Sequence, residues 1–181
     1  MLVKSFFAGF GGQGVLSMGL VLAHSAMREG KHVTYLPVYG AEVRGGTAHC
    51  TVAIADEEIA SPVASEPEYL VTMNQPSVNK FQNSICSGGT MFINTTLVAE
   101  LPSRGDIELV EVPATALAEE MENIGSTNFV MLGAFIKATG LVELETVKTS
   151  LEQFFAAKKK LIPGALAALQ KGHGYFEGRA K

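Results

Sequence analysis

The stretch VKSFFAGFGGQGV, residues 3–15, decides the fold. Its first half is apolar, with Phe6 and Phe7 side by side and no turn former before Gly9. A short apolar run closed by glycine reads as a buried strand. Gly9, Gly11 and Gly14 then fit the spacing GxGxxG where strand should give way to helix. Glycines there permit a tight turn and let an anion approach the backbone at a helix N-terminus. Beyond the turn, Val15, Met18, Leu22 and Met27 fall roughly on one apolar stripe of a helix that runs to about Glu29, with Gly30 as its stop. Residues 32–36 (HVTYL) read as a second strand closed by Pro37. A strand–helix–strand unit implies parallel strands.

Working outward, the period changes at residue 47. Ala48, Cys50, Val52 and Ile54 alternate with Thr47, His49, Thr51 and Ala53, the pattern of a half-buried strand; Asp56-Glu57-Glu58 then makes a polar turn from which Ile59 to Pro62 lead away, so the segment reads as a hairpin attached to the sheet. Residues 68–72, 90–94 and 108–112 read as further strands, with a helix from about Asn74 to Ile85 and another over residues 114–122. The last third is helical. Asn128 is placed to cap a helix that runs through Lys137 and stops at Gly140; residues 143–155 and 163–171 follow as two more. The expectation is an α/β chain: a single Rossmann-like three-layer domain over residues 1–181, with a mostly parallel sheet, an added hairpin and C-terminal helices.

Composition narrows the function. Hydrophobic residues make up 47% of the 181 and charged residues 18%, enough for a packed core. The net charge of −4 argues against a nucleic-acid surface, which needs a basic patch. The one basic run, Lys158-Lys159-Lys160, reads as a solvated face. The N-terminal segment lacks the shape of a signal peptide, and no apolar run reaches the roughly 18 residues of a membrane span. A cytoplasmic location is expected, with no membrane contact. Cys50 and Cys86 form no CxxC pair and read as two buried free thiols, and His24, His32, His49 and His173 have no metal-ligand spacing. A metal site is not expected, nor any catalytic residue: no nucleophile elbow or Walker sequence occurs.

The candidate binding residues lie in three loops. Gly11, Gly12, Gln13 and Gly14 form the first turn; the acidic residue that a dinucleotide's ribose needs is missing after Leu36, so dinucleotide binding, glycine-mediated packing and contact with another anion or a partner chain all stay open. Gln13 could bond a ligand or cap the backbone. The second loop is YGAEVRGG, residues 39–46, with Tyr39, Gly40, Glu42, Arg44, Gly45 and Gly46. Arg44 could hold a carboxylate or phosphate through two hydrogen bonds, or pair locally with Glu42. The third holds Asn74 and Gln75 at a strand's carboxyl end, where side-chain amides can bond a ligand or cap the next helix. On these residues alone a dinucleotide-dependent oxidoreductase and a small-ligand binding domain are both alternatives.

Read in order, GFGGQGV, YGAEVRGG, GTAHCTVAIADEEIASP, MNQPSVNKF and MLGAFIKATGLV resemble the gamma subunit of 2-oxoacid:ferredoxin oxidoreductases, the pyruvate/ketoisovalerate oxidoreductase common domain. The last motif leans toward the 2-oxoglutarate branch. The resemblance implies a non-catalytic subunit of an enzyme that decarboxylates a 2-oxoacid, passes electrons to ferredoxin and releases an acyl-CoA. It implies alpha and beta partner subunits, with delta and a homodimer as further candidates. Thiamine diphosphate, magnesium and iron–sulfur clusters would belong to those partners. The gamma-type domain would pack against them and help to admit or hold coenzyme A, with Gly11 to Gly14 lining a cleft that Tyr39, Glu42 and Arg44 face.

Overall fold

A computed structural model describes residues 1–39, 46–63 and 65–177. Gly40, Glu42, Arg44 and Gly45 of the second loop therefore lie outside the described residues. The described chain builds one six-stranded sheet in the order β2-β3-β1-β4-β5-β6. β1 (Leu2–Phe10) leads through α1 (Val15–Arg28) to β2 (His32–Tyr39). β3 (Thr47–Ala55) runs antiparallel to both β1 and β2 and fills the space between them. β4 (Tyr69–Thr72), β5 (Thr90–Asn94) and β6 (Glu108–Val112) extend the sheet in parallel from β1.

The expected hairpin does not form, because residues 59–62 after the Asp56 turn are not a strand; β3 pairs with β1 and β2 instead, and it is buried on both faces and not on one. Its second face carries Thr51, Ala53 and Ala55 at 5%, 0% and 4% exposure. In register, Ala53 lies between Lys4 and Thr34, and Thr51 between Phe6 and Leu36. Small side chains flanked by longer neighbours on both sides are buried whatever their polarity. β2 also runs past Pro37, which the sequence pattern marks as its end. As an edge strand it has an unpaired side, where a residue without an N–H costs nothing.

Helices cover the two faces unequally. α1, α3 (Ala114–Glu120), α4 (Thr127–Thr139), α5 (Leu144–Phe154) and α6 (Ile162–His173) pack on one face around Phe7, Cys50, Val71 and Phe92. α2 (Gln75–Phe81) lies on the other, with Val78 against Phe6, Leu70 and Met91. The buried stripe of α1 is narrower than the sequence pattern suggests, since Met27 is 59% exposed. α2 is shorter than expected and ends at Phe81, although Ile85 still reaches the core. Gly140, at φ 62°, stops α4 as anticipated. The N-cap of α4 is Ser126, so Asn128 is not the cap but a first-turn residue with another task.

α4 and α6 cross closely. A side chain added at Gly133 would run into the Leu169 carbonyl, and one at Gly172 into the Val130 carbonyl. This crossing fixes the helical layer that stands behind the glycine-rich turn.

Candidate functional site at the glycine-rich turn

The turn after β1 is held by its own backbone and by Gln13. The Gln13 N–H donates to the Phe10 carbonyl at 3.0 Å, and the Gln13 Oε1 accepts from the Phe10 N–H at 2.8 Å. The Gly11 N–H donates to the Gly46 carbonyl at 3.0 Å, which ties the turn to the start of β3. Gly9 is a packing glycine: a Cβ there would lie 2.8 Å from Val15 Cγ1 and 3.2 Å from Met73 Cβ. Gly12 and Gly14 are conformational, with φ values of 99° and 72° that L side chains rarely adopt.

α1 leaves β1 toward one face of the sheet, while α2 leaves the neighbouring β4 toward the other. Open α/β sheets bind ligands in the crevice at such a switch point. Here two amides occupy it. Asn74 Nδ2 donates to Gln13 Oε1 at 2.6 Å, Asn74 Oδ1 accepts from the Ser77 N–H at 2.9 Å, and Gln13 Nε2 donates to the Met73 carbonyl at 3.4 Å. Asn94 extends the network: its Nδ2 donates to the Met73 carbonyl and to Thr115 Oγ1, and its Oδ1 accepts from the Thr115 N–H. Asn74 caps α2 as the sequence allowed.

Two openings flank the turn. The inner one, about 130 Å³, lies beside Gln13, Thr115 and Asn128. The outer one is a cleft of about 590 Å³ lined by Gly11, Gly12, Gly14, Tyr39 and Gly46, together with Leu16, Ser17, Thr47 and Ala48. The structure thus brings the described parts of the first two loops to one cleft. Gln13 faces the inner opening instead. Gln75 belongs to neither: its Oε1 accepts from the Ala99 and Glu100 N–H groups, and its Nε2 donates to the Glu100 carbonyl and Asn79 Oδ1, so it anchors residues 99–100.

No described residue lining the outer cleft carries a charge. What the cleft offers is the start of α1, where no side chain caps the first-turn N–H groups. Those free N–H groups and the helix dipole favour a negative group. The turn is braced from below. The Tyr35 hydroxyl donates to the Leu16 carbonyl at 3.1 Å, and Cys50 Sγ to the Val15 carbonyl at 3.5 Å. Burial pushes the Cys50 thiol up to about 12 and raises the Tyr35 phenol further, with Cys50 and Tyr39 adding to the latter.

Asn128 is a residue of the site whose contact the sequence pattern does not disclose. It is buried, and its Nδ2 donates to the Gly14 carbonyl at 3.1 Å. A Cβ on Gly14 would meet that Nδ2 at 2.5 Å. Nothing local in the sequence signals a contact across 114 positions. Thr47 and Ala48 could have been found from the glycine pair that precedes the alternating strand. Cys86 is also corrected: it is partly exposed, not buried.

Among the described residues the donor chemistry does not fit an iron–sulfur cluster or a divalent metal. Cys50 is committed to a backbone carbonyl and resists ionisation, and the described residues include no group of three or more His, Cys, Asp or Glu side chains that could hold an ion.

A six-stranded, mostly parallel sheet covered by helices, with a glycine-rich turn after its first strand, defines a Rossmann-like α/β domain. The chain belongs to the pyruvate ferredoxin/flavodoxin oxidoreductase family, whose domain it matches over residues 4–175. It is 40% identical over 94% of its length to the ketoisovalerate oxidoreductase subunit VorA of Methanothermobacter thermautotrophicus, and covers 35% of that protein. It therefore spans about a third of the length of that relative. It is 32% identical to the common gamma subunit of the pyruvate/ketoisovalerate oxidoreductases of Thermococcus kodakarensis, over 86% of this chain and 88% of that one. Its fold matches the 2-oxoglutarate:ferredoxin oxidoreductase of Magnetococcus marinus, solved with 2-oxoglutarate, coenzyme A and succinyl-CoA bound, with a TM-score of 0.90 at 23% identity, over 99% of this chain and 32% of that one.

Proposed function

We propose that this chain is the gamma-type subunit of a 2-oxoacid:ferredoxin oxidoreductase, and that residues 1–181 act as one non-catalytic domain within it. The observation that carries the reading is the family match across residues 4–175. The cleft fits the role because it pairs a backbone anion site with no carboxylate, imidazole, amine or thiol among its described lining residues. Decarboxylation and electron transfer then belong to alpha and beta subunits, with delta where present. Those subunits hold thiamine diphosphate, magnesium and the iron–sulfur clusters and pass electrons to ferredoxin. The location is cytoplasmic; among the described residues no helix is long and apolar enough to cross a membrane.

This chain contributes assembly and a place for coenzyme A. The relative of matching fold holds coenzyme A, and the free N–H groups of α1 suit a phosphate of such a ligand. Tyr39 stands at the rim at 73% exposure, available to cover it, and Glu42 and Arg44 follow it in the chain. The substrate is a 2-oxoacid: the helix motif favours 2-oxoglutarate, while the 40% relative acts on ketoisovalerate.

Reconstitution tests this. The chain is mixed with its alpha and beta subunits, and ferredoxin reduction is followed with coenzyme A and each of 2-oxoglutarate, ketoisovalerate and pyruvate. Activity that requires the chain, with none from the chain alone, is the expected result. Equal activity without it would end the reading. Tyr39→Ala is expected to raise KM for coenzyme A and leave kcat nearly unchanged.

A further inference from the structure

A second groove of about 590 Å³ opens in the helical layer, away from the glycine-rich turn. Phe129 of α4, Met121, Phe155 and Leu161 form its apolar walls. Phe129 and Phe155 meet edge to face at 5.7 Å, and Phe154 stacks on Phe155 in the same manner at 4.9 Å. The apolar surface is open to water: Leu161 is 42% exposed and Phe154 38%. Gly125 and Gly164 keep the floor low; a Cβ at Gly164 would already meet Asn123 Nδ2 at 2.8 Å.

The run Lys158-Lys159-Lys160 reaches the groove through Lys160. All three are exposed, Lys160 lines the groove, and none forms an ion pair with another described residue. In a chain of net charge −4 this is a local reversal of sign beside aromatic surface. A solvated face explains three lysines alone. It does not explain three unpaired lysines next to exposed Phe154 and Leu161.

We infer that this groove receives a segment of a catalytic subunit that bears carboxylates beside an aliphatic or aromatic anchor. The inference rests on the subunit reading above. The anchor fills the space between Phe129, Phe155 and Leu161, where aromatic walls give the largest binding contributions. The carboxylates meet the lysines and steer the approach.

The test measures binding of the full chain to its purified catalytic subunits by interferometry, at low and high salt. The variant reverses Lys158, Lys159 and Lys160 to Glu. A control applies the same change of net charge elsewhere, with Arg28→Glu, Lys137→Glu and Lys148→Glu. Thermal unfolding checks that both fold. The expected result is an affinity about ten-fold weaker for the groove variant, with less salt dependence, and little change for the control. Equal loss in both, or none in the groove variant, would overturn the inference while leaving the subunit reading intact. If the unaltered chain binds no catalytic subunit, the subunit reading itself falls and this inference with it. A photoreactive residue at Ala167, on the groove wall, adds a readout of the occupant. Capture of a segment without Asp or Glu, or of a second copy of the chain, would also overturn it.

Discussion

Gln13 and Asn74 bridge the crevice between β1 and β4 with a 2.6 Å hydrogen bond. The two residues come from connections that leave the sheet in opposite directions, so their bond closes the crevice at the switch point. The end of β2 adds no ribose partner, since it reads Leu36-Pro37-Val38-Tyr39. Titration with NAD(H) or FAD is therefore expected to show no saturable binding in the micromolar range, followed by intrinsic fluorescence or calorimetry.

The same bond has a stability signature. Gln13→Ala strands the Phe10 N–H and Asn74 Nδ2, and Asn74→Ala removes the cap on Ser77 as well. Each single change is expected to cost about 1–3 kcal/mol in urea unfolding. The double variant should cost less than the sum by about 1 kcal/mol, because the shared bond is lost only once. Strict additivity would mean that the two amides do not interact.

Glycine positions in the turn separate strain from crowding. Gly12 has φ 99° with open space where a Cβ would stand, so Gly12→Ala should cost about 1 kcal/mol from backbone strain alone. Gly14→Ala adds the clash with Asn128 to φ 72° and should cost roughly 2–3 kcal/mol. Adding Asn128→Ala to Gly14→Ala should recover part of that loss. Denaturation midpoints of the variants check the ranking.

Much of the fold is legible in the sequence because periodicity and glycine placement act locally. The apolar run at Phe6 and Phe7, the turn at Gly9 to Gly14 and the stop at Gly140 each follow from the nearest few residues. What escapes is non-local. Pro37 ends no strand, because β2 happens to be an edge, and Thr51 is buried only because β3 is inserted between two neighbours. The cleft is half legible: Gly11, Gly12, Gly14 and Tyr39 line it, while Gln13 faces the inner opening and Gln75 is spent on residues 99–100. Amide side chains in particular give no hint of their partner, which is why Asn128 reads as a cap.

Alkaline pH should destabilise the chain through Cys50. Its thiol releases a proton near 9.0 when unfolded but is held to about 12 when folded, by burial above all. Its contribution is complete below about pH 9 and is lost as pH rises toward 12, at up to about 1.4 kcal/mol per pH unit. The half-buried Tyr35 phenol, raised in the same direction, adds to the loss. Urea midpoints between pH 8 and 11 should fall, and fall less steeply in Cys50→Ala. With a thiol reagent at pH 8, only the partly exposed Cys86 should react before urea is added.

Asn128 connects the helical layer to the cleft, and its loss should reach coenzyme A binding without touching the ligand. Its Nδ2 shares the Gly14 carbonyl with the first bond of α1, from the Met18 N–H at 2.9 Å. Asn128→Asp replaces that donor with a carboxylate oxygen facing a carbonyl, which pushes Gly14 and the free N–H groups behind it out of register. In the reconstituted complex this should raise KM for coenzyme A about five-fold, roughly 1 kcal/mol, with kcat unchanged. A purely structural role would instead lower the amount of assembled complex and leave KM as it was. Asn128→Gln, which keeps the donor on a longer arm, should recover part of the affinity; equal KM values in all three proteins would place the ligand away from the start of α1.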